Sequence, residues 1–379
     1  MKFIATSDWQ LGMTAHYLSD EARPRFHRAR LDAIARIGPL ATEHGAQFVT
    51  VAGDVFETNQ LDRAIIQRTF DALQQISVPV LLLPGNHDPL DASSIYDSPV
   101  FREYQPEHVA VLRDSEPLQV LPGVQVVGVP WYSKHPTIDQ VSQVCEQLSP
   151  RPADTRRVLV AHGAVSGLAG SADITKTDLI DLPGLQRAID SGLIDFVVLG
   201  DRHSMLQVAP HIWYPGSPEV TSRREEHPGN VLLVDLGSPS ISVTPLSVGQ
   251  WQFQNVHATL NSLADVQHFG QQLSDWPHKS TAALWLALEG TLTTAEKAEL
   301  DRVLADARAV FAHVDYWQRN TDLAIIPDDA DFGSLGLSGY AQSALDELVV
   351  TSRNAENPDA AALAQNALSL LYRLQGDQS

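Results

Sequence analysis

The chain has 379 residues, of which 44% are hydrophobic, 19% charged and 7% aromatic, a composition typical of a globular protein with a large core. Acidic residues outnumber basic ones 46 to 26, and the formal net charge of −20 argues against a protein that coats nucleic acid through its bulk charge. Cys145 is the single cysteine of the sequence, which excludes an intramolecular disulfide and a cysteine-based zinc site.

The amino-terminal residues predict a strand and not a targeting signal. The charged Asp8 follows the first apolar residues closely, which leaves no apolar core for a signal peptide. Apolar runs such as residues 78–83 have the length of a strand and are far below the roughly 20 residues that cross a membrane. We therefore expect a cytoplasmic protein that makes no use of a membrane.

Residues 1–249 alternate short apolar runs with amphipathic segments, which favours an α/β domain with a largely buried sheet. The two helices predicted from apolar spacing are residues 28–37 and 64–76. The predicted strands are rich in Val, Leu and Ile, and they are residues 2–6, 48–52, 80–83, 124–129, 158–161 and 196–199.

The pattern changes near Gly249 and predicts two further regions. Residues 250–327 form a small α/β domain, with Thr293 as a helix cap and Glu296 in the first turn. Residues 328–379 form a helical tail with a polar loop and two amphipathic helices. The predicted strands of the small domain are 253–260, 282–288 and 314–317, its helices are 263–273 and 294–311, and the helices of the tail are 340–350 and 360–374.

Five short polar motifs directly follow predicted strands. Because ligands bind outside the carboxyl ends of strands in α/β sheets, we expect these motifs to converge on one site. Their carboxylate, amide and imidazole groups are donors for divalent metals. Each motif alone is typical of a turn or a helix cap, but the ordered set indicates a metal centre. The motifs are Asp8-Trp9-Gln10, Gly53-Asp54, Gly85-Asn86-His87-Asp88, His162-Gly163 and Gly200-Asp201-Arg202-His203.

This ordered set resembles the calcineurin-like metallophosphoesterase superfamily, whose motifs are D-x-H, G-D, G-N-H-[DE], H and G-H-x-H. Residues 6–12, 52–56 and 84–88 are similar to the DNA repair exonuclease branch, typified by the D subunit of the SbcCD nuclease. The resemblance implies an α/β phosphoesterase core of sheet layers flanked by helices, followed by an α/β capping domain and a helical carboxyl-terminal tail.

The resemblance also implies two divalent ions. The donor types suit Mn²⁺, Fe²⁺, Mg²⁺ or Zn²⁺, and we expect Mn²⁺ above all because of the ligand substitutions described below. Asp8 and His203 would hold one ion together with Asp54, which bridges to the second. Asn86 and His162 would complete the site of the second ion.

Two further residues receive a catalytic role from the resemblance. His87 is expected to stabilise or protonate the departing oxygen, which is the role of a general acid. Asp88 is expected to orient the ring of His87, as carboxylates do in other acid–base sites.

Three positions depart from the family pattern. Gln10 stands where the family has a metal-binding histidine, and Asp201 replaces the first histidine of G-H-x-H. Glu57 occupies a place where the recombination nucleases often carry a histidine. A neutral amide and a hard carboxylate in place of two imidazoles favour Mn²⁺ over softer ions and predict one loosely held ion.

Arginines form two candidate phosphate-binding groups, with a solvated surface as the alternative for each. The first group lies soon after the first motif, and the second lies in a polar loop. We expect Trp9 and Trp131 to be packing residues and not platforms for base stacking. The candidate DNA-binding residues are Arg23, Arg25, Arg28 and Arg30 in the first group, and Arg223 and Arg224 in the second.

The leading hypothesis is therefore a metal-dependent DNA exonuclease or endonuclease subunit in DNA repair. The resemblance implies an SbcC-like, SMC-type ATPase as partner, and a homodimer is a further expectation. Two alternatives remain at this stage. One is a phosphodiesterase for small nucleotides or other phosphoesters, and the other is a non-catalytic scaffold subunit of an ATPase complex.

Overall fold

The computed structural model describes residues 1–167, 179–237, 240–326 and 339–352, together with positions 360, 363, 364, 367 and 368. The chain divides into two compact units. The first comprises Met1–His16 and Arg23–Trp251, and the second comprises Tyr17–Ala22 and Gln252–Ser379. The boundary predicted at residue 327 and most of the helix predicted over 360–374 lie outside the described residues.

The first unit consists of strands and helices that alternate along much of its length. Its helices are α1 (Ala22–His44), α2 (Arg63–Leu73), α3 (Pro99–Tyr104), α4 (Gln140–Gln147) and α5 (Leu182–Asp190). Its strands are β1 (Lys2–Thr6), β2 (Val49–Val51), β3 (Val80–Leu82), β4 (Val109–Val111), β5 (Leu118–Leu121), β6 (Val124–Val129), β7 (Arg156–His162), β8 (Phe196–Gly200), β9 (Leu206–Ala209), β10 (Ile212–Tyr214), β11 (Asn230–Asp235) and β12 (Ser242–Ser247).

These strands form two six-stranded sheets. The first sheet has the order β12-β11-β1-β2-β3-β4, with β1 to β4 parallel and β11 antiparallel to β1. The second has the order β5-β6-β7-β8-β10-β9, with a parallel centre of β6, β7 and β8. The carboxyl ends of the parallel strands in each sheet therefore share one edge, where loops can present ligands.

The core of the first unit lies in three apolar layers. Between the sheets, Phe3 stacks on Phe48 with ring centroids 4.8 Å apart and meets Phe196 of the other sheet edge-on at 6.0 Å. Outside the first sheet, α1 and α2 bury residues such as Ile34 and Phe70. Outside the second sheet, residues of α5 such as Leu185 pack on the strands. The result is a helix–sheet–sheet–helix sandwich, which confirms the predicted α/β core of sheet layers flanked by helices.

The helix predicted over residues 28–37 is longer in the structure. Helix α1 continues to His44, and Pro39 lies inside it. The pair Gly38-Pro39 is typical of a helix end, but Gly38 instead allows close packing, because a Cβ there would lie 1.9 Å from the carbonyl oxygen of Gln75. Tertiary contact therefore overrides the local signal.

The second unit contains a parallel sheet covered by two helices. Strand β14 pairs on one side with β13 and on the other with β15 and then β16, and all of these pairs are parallel. Thr293 caps α7 as predicted, and with Glu296 it forms a capping box. Its elements are β13 (Gln252–Leu260), α6 (Leu263–Asp275), β14 (Ala282–Thr293), α7 (Thr294–Val310), β15 (His313–Tyr316), β16 (Asp322–Ile326) and α8 (Tyr340–Ser352).

The short strand β16 was not predicted, because its five residues carry neither a clear alternation nor a turn signal beyond Asp322. Within the described parts of the chain, the helices are all too short or too polar to cross a membrane.

Candidate metal centre

The predicted ligands converge at the carboxyl ends of β1, β2, β3, β7 and β8, all within the first unit. One ligand atom from each of Asp8, Asp54 and His162 lies within 4.8 Å of the other two, and all three residues are buried. Three strands from two different sheets thus bring two carboxylates and an imidazole together.

The loops that carry these ligands have unusual backbone geometry. Asp8, Gln10, Asp54 and Asp201 have φ angles of 53°, 41°, 52° and 91°, in the left-handed region that L-residues with a side chain seldom adopt. Backbone hydrogen bonds hold two of these turns against each other, from Asp8 N to the Gly53 carbonyl (3.0 Å) and from Gln10 N to the Asp54 carbonyl (2.9 Å). Such strain persists only where surrounding contacts enforce it, and it clusters at functional sites.

Asp54 lies at the centre of the cluster. Its Oδ1 accepts a hydrogen bond from the backbone N of His87 (3.0 Å) and lies 3.5 Å from His162 Nε2. Its Oδ2 lies 4.0 Å from His87 Nε2. Two glycines leave space for the side chains of Asp54 and His162. A Cβ on Gly85 would lie 2.2 Å from Asp54 Oδ1, and a Cβ on Gly53 would lie 2.1 Å from His162 Nδ1.

His162 directs one ring nitrogen into the cluster. Its Nδ1 donates to the carbonyl oxygen of Ala52 (2.9 Å), so that Nε2 faces Asn86 Oδ1 at 2.7 Å. Nε2 also lies 3.9 Å from Asp201 Oδ1. Burial opposes a charged ring, but the nearby carboxylates, Asp54 first, outweigh it and raise the pKa of His162 to about 9.

His203 lies on the other side of the cluster with Gln10. The two Nε2 atoms of Gln10 and His203 are 3.0 Å apart, so the amide reaches the ring nitrogen that would bind a metal. The other ring nitrogen, Nδ1, lies 2.5 Å from Thr221 Oγ1 and 3.2 Å from Glu225 Oε1. Burial opposes a charged ring here as well, but the hydrogen bond to Glu225 and the charge of Asp8 raise the pKa of His203 to about 8.

Thr221 and Glu225 were missed by sequence reasoning as parts of the site. They lie 18 and 22 residues after His203, in a polar loop noted only for its arginines. A Thr and a Glu in a polar loop carry no signal that distinguishes them from solvated residues, so only the folded chain identifies them.

The predicted contact between Asp88 and the His87 ring is corrected by the structure. Both carboxylate oxygens of Asp88 are used elsewhere, because they accept hydrogen bonds from Phe56 N, Gly85 N and the Tyr96 hydroxyl. The ring of His87 instead meets Glu57, whose carbonyl oxygen lies 3.0 Å from Nδ1. Asp88 therefore closes the loop that presents His87, and its burial, together with the charge of Asp54, raises its pKa to about 6.

Arg30 was wrongly assigned to a DNA-binding surface. It is 3% exposed, and its guanidinium donates to the carbonyl oxygens of Glu219, Val220 and Trp9. Buried carbonyls need donors, and here they lie in two loops of the site. Arg30 thus joins the loop of Asp8 and Gln10 to the loop of Thr221.

The other candidate arginines lie nearer the surface. Arg28 is exposed and forms an ion pair with Asp32 at 2.8 Å, one helical turn along α1. Arg25 and Arg224 are exposed, whereas Arg23 and Arg223 are half-buried. Trp9 and Trp131, at 1% and 8% exposure, are buried packing residues as predicted, and Trp131 Nε1 also donates to the carbonyl oxygen of His162 at 2.7 Å.

The side chains of the cluster fit divalent cations. Burial raises the pKa of Asp8, since a buried carboxylate next to a second one needs a compensating charge. Each histidine has one ring nitrogen engaged by an acceptor, which leaves the other for a metal. Asp8, Asp54 and His162 form the cluster itself, Gln10 lies beside His203, and Asn86 and Asp201 lie beside His162.

The fold and the site together define an α/β sandwich with a carboxylate–imidazole metal centre at its strand ends. The calcineurin-like phosphoesterase family (Metallophos) matches residues 1–232, and the chain belongs to this family. Membership indicates a metal-dependent phosphoester hydrolase that binds divalent ions.

Comparisons with individual proteins add little detail. The protein TT1561 of Thermus thermophilus is 14% identical, with a TM-score of 0.40, over 65% of this chain and 98% of that chain. Wild-type Vps29 of Entamoeba histolytica, solved with Zn²⁺, is 11% identical, with a TM-score of 0.29, over 65% of this chain and 99% of that one. A search of curated proteins finds no match.

Proposed function

We propose that the protein hydrolyses phosphodiester bonds in DNA with two divalent ions, as a nuclease subunit of the DNA repair exonuclease type. The observation that carries this proposal is the convergence of Asp8, Asp54 and His162 beside His87. When bound, the two ions would activate a water and polarise the phosphate. The remaining steps depend on side chains of the chain itself.

His87 is suited to act on the leaving oxygen. Its Nδ1 is held by the Glu57 carbonyl at 3.0 Å, and its Nε2 faces Asp54 Oδ2 at 4.0 Å. Its side chain is 36% exposed, so a substrate in the site can reach it. The Glu57 carboxylate lies 3.7 Å from the same Nδ1 atom, so Glu57 flanks the ring with both its backbone carbonyl and its side chain.

The metal preference follows from the two substituted ligands. Asp201 offers a hard carboxylate 3.9 Å from His162 Nε2, whereas Gln10 offers a neutral amide beside His203. Hard oxygen ligands favour Mn²⁺ over softer ions. We therefore propose Mn²⁺ as the activating ion, with the ion on the Gln10 side held more loosely.

The net charge of −20 bears on how DNA is held. An acidic chain gains little from bulk attraction to phosphate, and the burial of Arg30 removes one candidate contact. We propose that the exposed Arg25 and Arg224 contact phosphates weakly and that an SbcC-like ATPase partner supplies most of the grip. DNA binding by the isolated chain should therefore be weak and salt-sensitive.

The decisive test uses the purified full chain with Mn²⁺ on duplex DNA ends, on single-stranded DNA and on bis(p-nitrophenyl) phosphate. We expect cleavage of DNA, and His87→Ala should retain both ions but lose about 10²–10⁴-fold in rate, the usual contribution of acid–base catalysis. His268→Ala, an exposed histidine on α6, is the matched control and should be fully active.

Other outcomes of this test would support the alternative functions or exclude a role of His87. Hydrolysis of the small phosphodiester alone would replace the nuclease by a phosphodiesterase for small substrates. Two bound ions without hydrolysis of any of the three substrates would indicate a scaffold subunit. A fully active His87→Ala variant would remove His87 from the mechanism.

A further inference from the structure

We propose that Glu225, together with Thr221, is a positioning residue for His203 and sets the affinity of one metal position. The inference rests on the proposed function only in that His203 is taken as a metal ligand. Glu225 Oε1 lies 3.2 Å from His203 Nδ1, and the carboxylate side chain is 4% exposed. A buried carboxylate behind an imidazole fixes the orientation of the ring and increases its basicity as a ligand.

The contact fixes which ring nitrogen is available. A carboxylate can only accept, so Nδ1 of His203 donates to it and carries the proton. The opposite atom, Nε2, then points toward Gln10, whose amide lies 3.0 Å away. Glu225 thus determines that His203 presents Nε2 to the cluster that contains Asp8 and Asp54.

Glu225 also shapes the loop in which it lies. Its Oε2 accepts from the backbone N of Thr221 at 3.0 Å, and the Thr221 hydroxyl donates to its Oε1. One carboxylate therefore closes a turn of the chain that carries Arg223 and Arg224, and it orients a metal ligand at the same time. Glu225 therefore supports both the orientation of His203 as a metal ligand and the shape of the loop that carries the two arginines.

The two histidines of the site differ in this respect. The Nδ1 of His162 is held by the backbone carbonyl of Ala52 at 2.9 Å, which no side-chain substitution removes. The Nδ1 of His203 is held by side chains, Glu225 and Thr221. Substitution of Glu225 should therefore affect one metal position and spare the other, which a general loss of structure would not do.

The test is a titration of the metal-free full chain with Mn²⁺. Calorimetry and the electron paramagnetic resonance signal of free Mn²⁺ both monitor binding during this titration. The binding step that His203→Ala abolishes is the step of the His203 position. We expect Glu225→Gln to weaken that step about 10- to 100-fold, the usual effect of losing such an outer partner, and to leave the other step unchanged. Glu226→Gln, at the exposed neighbouring residue, is the matched control and should leave both steps as in the wild type.

A second pair of variants, at Thr221, tests the proposal even if Glu225→Gln does not fold. Thr221→Val removes the hydroxyl and should weaken the same step, whereas Thr221→Ser retains the hydroxyl and should restore it. If His203→Ala removes one step but both Glu225→Gln and Thr221→Val leave it unchanged, the positioning role is wrong while the metal site stands. If His203→Ala leaves both steps intact, the proposed metal site itself is wrong.

Discussion

The metal-centre loops and the second unit differ in how closely their backbone follows local conformational preferences. In the loops, four non-glycine residues (Asp8, Gln10, Asp54 and Asp201) adopt positive φ angles, and two carboxylates are buried together. In the second unit, β13, α6, β14, α7 and β15 follow one another regularly, and Thr293 and Glu296 cap α7 with both hydrogen bonds of a capping box.

The difference shows where local preference is satisfied and where it is overruled. From β13 to β15, the second unit agrees with local propensity, periodicity and capping, which is typical of natural sequences. The loops of the metal centre contradict local preference repeatedly, and the contradictions are held by long-range contacts. We therefore expect substitutions in the loops to change metal binding and substitutions in the second unit to change stability alone.

The largest effect is expected from removal of the central carboxylate. Asp54→Ala should lose both ions and all hydrolytic activity, because a ligand atom of Asp54 lies within 4.8 Å of those of Asp8 and His162, which are proposed for different metal positions. Metal content of the purified variant and its hydrolysis rate are the measurements. Asp71→Ala, an exposed aspartate on α2, should keep both ions, and a metal-replete Asp54→Ala protein would refute the bridging role.

The next effect concerns pH. The pKa values of His162 and His203 are raised to about 9 and about 8, so in the metal-free protein both rings carry a proton at neutral pH that a metal must displace. Affinity for Mn²⁺ should rise about tenfold per pH unit at each position below these values. Calorimetry in buffers of different ionisation enthalpy should detect proton release, and binding without release would contradict the assignment.

The same pKa values predict a change in stability. A histidine whose pKa is raised on folding stabilises the metal-free protein. This stabilisation is complete when the pH is below 6.5, the pKa of histidine in the unfolded chain, and it is lost as the pH rises through the pKa of the folded state. The metal-bound protein does not depend on it. The difference in thermal midpoint between the metal-bound and metal-free forms should therefore widen from about pH 6.5 to about pH 9, and a constant difference would contradict the linkage.

A matched pair of glycines separates strain from steric exclusion. Gly45 and Gly53 both have positive φ, but a Cβ meets nothing within 4 Å at Gly45 and lies 2.1 Å from His162 Nδ1 at Gly53. Gly45→Ala should cost about 1–2 kcal/mol for the left-handed backbone alone. Gly53→Ala should cost roughly 2 kcal/mol more and displace His162, which chemical denaturation and Mn²⁺ titration would measure. Equal costs would show that the site adapts freely.

A smaller gain is expected at the loosely held position. Gln10→His should tighten that ion about tenfold, because an imidazole is a stronger donor than a neutral amide. Retention of Mn²⁺ during dialysis and activity at low metal concentration are the measurements. No change in either would mean that Gln10 is not a ligand and that water or another residue completes the position.

The smallest effect is expected in the second unit. Thr293→Ala removes the side chain that accepts from the backbone N of Glu296 and should cost about 1 kcal/mol of stability. Hydrogen exchange of the α7 amides should show earlier opening, while Mn²⁺ affinity stays at the wild-type value. A loss of metal binding in this variant would contradict the independence of the two kinds of structure.

From the sequence alone, the strands that carry the ligands and the order of those ligands could be predicted. Buried strands have apolar runs of their own, so β1 and β6 were predicted to the residue, and glycine-rich polar motifs mark the strand ends. The family motifs then predicted the candidate ligands, because those residues are close to one another within each short motif. Local signals of this kind need no knowledge of the rest of the chain.

The side chains that support the ligands are identified by long-range contacts in the folded chain. Gln10 meets His203 across 193 residues of sequence, and Asp201 N meets Asp8 Oδ1 across the same separation. The buried Arg30 and the carboxylate of Glu225 look like ordinary solvated charges in the sequence. Their roles arise because folding removes water from them and supplies carbonyls and an imidazole in its place, which no local pattern of residues records.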